Sequence, residues 1–305
     1  MHSLHHILAV MDLSVPGEHA AWRAARIAQA NGAAVHLLQR LDGLDRRPVS
    51  RFGPSSPLAR SRADLSHLAR EIEHALAIKV THAVCADDGP ARTREAAAKA
   101  DLVVMPRARP MRWSELLQGG RAAQVLRECA VAVLITRLRP SQNYRKVLAG
   151  VDLSEDAQRV LALSARLSPF GSVEALHAMS RADEDGLVPE PAVGRADGLG
   201  DKALERARSA VQTLAHRAGV KVSVSAVRGQ DSSGPLLQRQ GETGANLLAL
   251  CKTPRAWWAD LALGSAAQRA LAQAPCDVLW VPAAAAGRSR AARTTAVPAH
   301  MKTAA

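Results

Sequence analysis

The stretch HHILAVMDLS, His5 to Ser14, returns as RKVLAGVDLS, Arg145 to Ser154, so that Asp12 and Asp152 occupy the same place in two copies. The matches continue in one order. AARIAQANGAAVHLLQ is echoed by SARLSPFGSVEALH, IKVTHAV by VKVSVSAV, ADLVVM by ANLLAL, and GGRAAQVLRECAVAVLIT by GSAAQRALAQAPCDVLWV. Colinear repetition of this kind marks a tandem duplication. It divides the chain into a first domain 1–138, a linker 139–144, a second domain 145–282 and a basic tail 283–305. The tail has no periodic apolar face and is expected to be disordered.

Within each copy, short apolar runs such as ILAVMD read as strands buried on both faces, and helical periodicity follows them. The alternation predicts βαβαβαβαβ twice, which means two open parallel five-stranded sheets with helices on both faces and right-handed crossovers. Ser14 and Ser154 stand where N-caps are expected. The connections 41–58 and 180–200, rich in Gly, Pro, Ser and charge, fall in equivalent places after the second strand. Loops of that length are usually functional or mobile.

The 305 residues include 3% aromatics, so the core must be aliphatic, with close helix-to-sheet contacts. Cys85, Cys129, Cys251 and Cys276 form no CxxC pair. Together with a start lacking a signal-peptide pattern and the absence of any membrane-length apolar run, this gives the expectation of a cytoplasmic protein without a membrane partner. The net charge of +12 gathers on the first half and on the tail cations Arg288, Arg290, Arg293 and Lys302. An arginine-rich proteome produces the same excess, so the charge alone does not call for a nucleic-acid partner.

The strand ends AVMDLS and AGVDLS, the segment ALHA and, most specifically, LGSAAQRALAQAPCDVLWVP resemble the universal stress protein family, over nearly the whole chain. The resemblance implies Rossmann-like domains of the adenine nucleotide α-hydrolase-like type, dimerisation through the last strand and a role in stress survival. ATP-binding members of that family carry a Gly, two residues, a second Gly, nine residues, then Gly followed by Ser or Thr. On the second copy this pattern falls on Cys251, Pro254, Gly264 and Ser265, and on the first on Pro106, Arg109, Gly119 and Gly120. Proline removes an amide donor and excludes positive φ, which weakens a phosphate cradle. Lys252 and Arg255, or Arg107, Arg109 and Arg112, put cations beside the same strand ends.

The candidate nucleotide-site residues are therefore Asp12, Asp152, Lys252, Gly264 and Ser265. Each aspartate either contacts a nucleotide, as the resemblance implies, or caps the following helix, and Ser265 has the same two readings. His2, His5 and His6 could hold an adventitious metal. His36 and His177 are placed near the ligand-facing end of strand two, where they read as packing or edge residues. Cys251 is either small filler or a redox-sensitive thiol, and Trp113, Trp257 and Trp258 form either a lid or a stacking platform.

Two functions follow. The first is a non-enzymatic stress-response or regulatory binding module with degenerate nucleotide sites, no required cofactor and an unidentified protein partner. The alternative is an ATP-binding switch, with slow hydrolysis or autophosphorylation, using mainly the second domain. A third class, an enzyme with a Ser-Gly-Gly-x-Asp-Ser phosphate motif after strand one, is not supported, because MDLSVPG and VDLSEDA stand there. The two fifth strands could pair within the chain as a pseudo-dimer, with a homodimer still open.

Overall fold

Val and Leu runs too short for a helix become strands, and alanine-rich segments pack on them. The computed structural model describes residues 3–40, 56–85, 89–107, 131–179, 196–229, 233–251 and 273–282. Through them the chain runs β1 (His6–Met11), α1 (Val15–Asn31), β2 (Ala34–Arg40), α2 (Pro57–Leu76), β3 (Val80–Cys85), α3 (Gly89–Lys99), β4 (Leu102–Pro106) and β5 (Ala132–Thr136). It repeats as β6 (Lys146–Gly150), α4 (Ala157–Leu167), β7 (Ser172–Met179), α5 (Ala196–Ala218), β8 (Ser223–Arg228), α6 (Ser233–Thr243), β9 (Leu247–Cys251) and β10 (Asp277–Val281). The expected last helix of each copy and the tail fall outside the described residues.

The strands form one ten-stranded sheet in the order β3-β2-β1-β4-β5-β10-β9-β6-β7-β8. Each half is parallel, and the halves join where β5 and β10 run antiparallel, with Val133 opposite Trp280 and Ile135 opposite Val278. The two fifth strands thus cover each other's edges inside one chain. Alternate side chains feed two cores: Ile7, Ala9, Val147 and Ala149 face α1, α2, α4 and α5, whereas Leu8, Val10, Leu148 and Leu250 face the other way. Each fully buried leucine contributes about 1.5–3 kcal/mol.

On α1 the buried stripe is mostly alanine, Ala20, Ala21, Ala24, Ala25 and Ala28, which lets the helix lie close to the sheet. Ser14 Oγ accepts from Gly17 N at 3.3 Å, and Gly32, at φ 64°, ends the helix with its N–H on the last turn. The second copy differs. Its helix α4 starts only at Ala157, its N-cap is Asp156 without a side-chain cap bond, and Ser154 does not cap. Ser14→Ala should therefore cost about 1 kcal/mol in urea unfolding and Ser154→Ala roughly half that or less; equal losses would refute this difference between the copies.

Two helices begin earlier than their periodicity predicts. Ser56 caps α2 by accepting from Ala59 N at 3.1 Å, with Pro57 in the first turn, and α5 starts at Ala196, so both connections are shorter than 41–58 and 180–200.

The linker expected at 139–144 and the residues just before it are tied into the core. Asp277, at the start of β10, accepts from Arg137 N at 2.6 Å and Leu138 N at 2.8 Å on Oδ1, and from the Tyr144 hydroxyl at 2.6 Å on Oδ2. Arg23, from the alanine stripe of α1, brings Nε to 3.1 Å from that Oδ2, facing it as a charge rather than as an aligned hydrogen-bond donor. Its other nitrogens donate to Gln142 O at 2.7 Å and Arg139 O at 3.3 Å, and its guanidinium lies 4.5 Å from the centre of the Tyr144 ring. Arg23, Tyr144 and Asp277 are all buried.

Candidate nucleotide-binding crevice

In an open parallel sheet, ligands bind beyond the carboxyl ends of the strands, where the strand order reverses. Here those places lie between β1 and β4 and between β6 and β9. Asp12 follows β1, and its Oδ1 accepts from the Ser14 amide at 3.2 Å and from the Ser14 hydroxyl. Asp152 follows β6 and does the same for Ser154, with the amide at 3.1 Å. Both aspartates are thus turn-formers through one oxygen. Asp12 is exposed, whereas Asp152 Oδ2 is buried and has no hydrogen bond among the described residues.

The turn after β1 is unusually close. A Cβ on Gly17 would lie 2.0 Å from the Asp12 carbonyl oxygen and 2.6 Å from Asp12 Oδ1. Ala157 stands at the corresponding position of the second copy. Its methyl group cannot enter such a contact, which accounts for the later start of α4 and for the uncapped Ser154.

At the far wall of the first crevice, Pro106 ends β4 opposite Thr136 and contributes no amide. Arg107 follows, half-buried, its N–H donating to Thr136 O at 2.9 Å. Burial, and then the charge of Arg137, lower the guanidinium's pKa. Lys252, Gly264, Ser265, Pro254 and the three tryptophans Trp113, Trp257 and Trp258 lie outside the described residues, as does the Cys251 side chain. Of the candidate residues, only Asp12 and Asp152 have a described geometry, and each sits in its own copy.

His36 and His177 are not equivalents. His36 lies mid-strand, opposite Leu8 and Thr81, and its Nδ1 meets Thr81 Oγ1 at 2.9 Å, whereas the matching residue in β7 is Glu174. His177 is buried at the end of β7 with Nδ1 donating to Val151 O at 2.9 Å, and its Nε2 has no hydrogen bond among the described residues. The matching residue in β2 is Gln39, also buried, with an equally unpartnered Oε1. Sequence reading missed Gln39, and also Asp277, though a carboxylate opening an otherwise apolar strand was a visible signal.

Both described thiols, Cys85 and Cys276, are free and buried. Burial and then the Asp277 charge push the Cys276 thiol up to about 12, so it stays protonated and unreactive. Among the described residues, no three His, Cys, Asp or Glu side chains gather as a metal-holding group, and no helix is long and apolar enough to cross a membrane.

Two Rossmann-like halves, each with its crevice at the strand-order switch and each opened by an Asp-x-Ser turn, define a tandem α/β protein with two open-sheet crevices. The model of the universal stress protein family matches residues 3–137 and again 143–282. The chain belongs to that family. Among solved structures, a universal stress protein from Archaeoglobus fulgidus DSM 4304 is similar at 17% identity, with a TM-score of 0.66, covering 92% of this chain and 97% of its own. A functionally unknown protein from Pseudomonas aeruginosa PAO1 is similar at 18% identity, with a TM-score of 0.62 and 92% coverage of both chains. No curated protein matches the chain.

Proposed function

We propose that the protein is a non-enzymatic stress-response binding module in which nucleotide binding is degenerate. The observation that carries this reading is the first crevice. Pro106 ends β4 without the amide that a phosphate cradle uses there, and Asp12 is engaged by its own turn. The same substitution class recurs in the second copy, where Cys251 and Pro254 replace the two glycines. Isothermal titration of the full chain with Mg-ATP should give no saturable heat in the micromolar range; micromolar affinity would overturn the proposal.

One observation favours the alternative, an ATP-binding switch confined to the second copy. Asp152, unlike the exposed Asp12, keeps a buried carboxylate oxygen free of hydrogen bonds among the described residues. On that reading Gly264→Val and Asp152→Ala each abolish ATP binding, while Asp12→Ala leaves it unchanged.

The pairing of β5 with β10 supports an intramolecular pseudo-dimer as the working unit. It leaves the last strands with no free edge for a second chain, so a homodimer would use another surface.

A further inference from the structure

A cavity of about 600 Å³ opens in the first copy beneath α3, to the side of the crevice. Its floor is the set of alternate side chains that β1, β2 and β3 turn toward α3, among them Leu8, Leu38, Ala83 and Cys85, and its wall is Ala96 and Ala100. Cavities of this size take small organic ligands.

The second copy fills the same space. By strand register, Glu174 takes the place of His36 and Ser225 that of Ala83. The Glu174 carboxylate accepts from Ser225 Oγ at 2.7 Å and from Arg239 Nε at 2.8 Å, which straps α6 to β7. Buried residues set the phase of the two helices, Thr93 and Ala97 on α3 against Leu236 and Gln240 on α6. Arg239 therefore reaches across where Ala96 stops. The opening belongs to the first copy's small residues rather than to the fold.

The rim is cationic. Lys99 Nζ pairs with Glu95 Oε1 at 2.7 Å, and Arg92, one turn away on the same helix and exposed, adds its charge near Glu95 and Cys85. His36 is held by Thr81, and His6 stands at the start of the floor. An apolar bed with the exposed Arg92 guanidinium at its edge is complementary to an amphipathic anion.

We infer that this cavity binds a small amphipathic carboxylate of the fatty-acid class, its chain on Leu8, Leu38, Ala83 and Ala96 and its headgroup at Arg92. The site is separate from the crevice and does not depend on whether nucleotide binds there.

Sodium decanoate, kept below its micellar concentration, and decanol as the neutral comparator test this by titration calorimetry on the full chain. Decanoate should bind saturably and more tightly than decanol. Ala96→Leu, which fills the cavity, should weaken both ligands at least tenfold. Arg92→Gln should weaken decanoate several-fold and leave decanol unchanged, with the far-ultraviolet circular dichroism of each variant confirming the fold. Three outcomes overturn the inference: no saturable decanoate binding, indifference of binding to Ala96→Leu, or equal affinity for decanoate and decanol with no effect of Arg92→Gln. A crevice ligand would be untouched by Ala96→Leu, so failure here is distinguishable from failure of the function proposed above.

Discussion

Asp277→Ala is expected to lower the free energy of unfolding by about 3–5 kcal/mol, the usual cost of removing one partner from a buried ion pair. Asp277 has no solvent exposure and accepts from two backbone amides and the Tyr144 hydroxyl while facing Arg23. Its removal leaves the Arg23 charge buried between the copies and unties residues 137–144 from β10. Urea unfolding compared with Asp201→Ala, which breaks an exposed pair with Arg228, measures the difference. Losses of similar size in the two variants would refute the role of this junction. A double-mutant cycle with Tyr144→Phe should give a coupling of about 1 kcal/mol or more.

The same junction predicts a pH dependence. Burial, followed by the neighbouring Asp277 charge, raises the Tyr144 phenol well above its ordinary range. A group whose folded pKa is raised gives its full stability below the unfolded value, about 10 for tyrosine, and loses it as the pH climbs toward the folded value. Tyr144 is the chain's one tyrosine, so the tyrosinate absorption band reports it alone. That band should appear only as the protein unfolds in alkali, and an ordinary titration midpoint in the native state would contradict the burial.

Gly17→Ala is the second large effect. The new Cβ would meet the Asp12 carbonyl oxygen at 2.0 Å, a backbone contact that no rotamer relieves. The start of α1 must then retreat toward the α4 arrangement, giving up the bond from Gly17 N to Ser14 Oγ. A loss of about 2–3 kcal/mol is expected, at the upper end of what overpacking costs. The reverse change, Ala157→Gly, should cost about 1 kcal/mol or less, as glycine does near a helix start. Equal effects at the two positions would refute the steric account of why the copies differ.

Much of this molecule was legible in the residue order. Repetition from His5 to Val281 gave the two copies, and apolar runs alternating with helical periodicity gave the parallel sheets, because burial on both faces makes a strand a short unbroken apolar run. The aspartates closing β1 and β6 were legible for the same reason, since they sit at a fixed offset from strands the pattern locates. Helix starts were less legible. Ser14 and Ser154 read alike, yet only Ser14 caps, because a single methyl at 157 decides how near the helix can approach the preceding carbonyl.

By itself, then, the sequence determined the duplication and the open-sheet class, both of which are local or periodic properties of the chain. Only the tertiary structure decided that ten strands make one sheet, that Arg23, Tyr144 and Asp277 meet across the junction, and that the space crossed by Arg239 in one copy is open in the other. Those facts depend on residues far apart in the chain becoming neighbours. Spacing carries no record of such contacts, because each partner alone reads as an ordinary helix or strand residue.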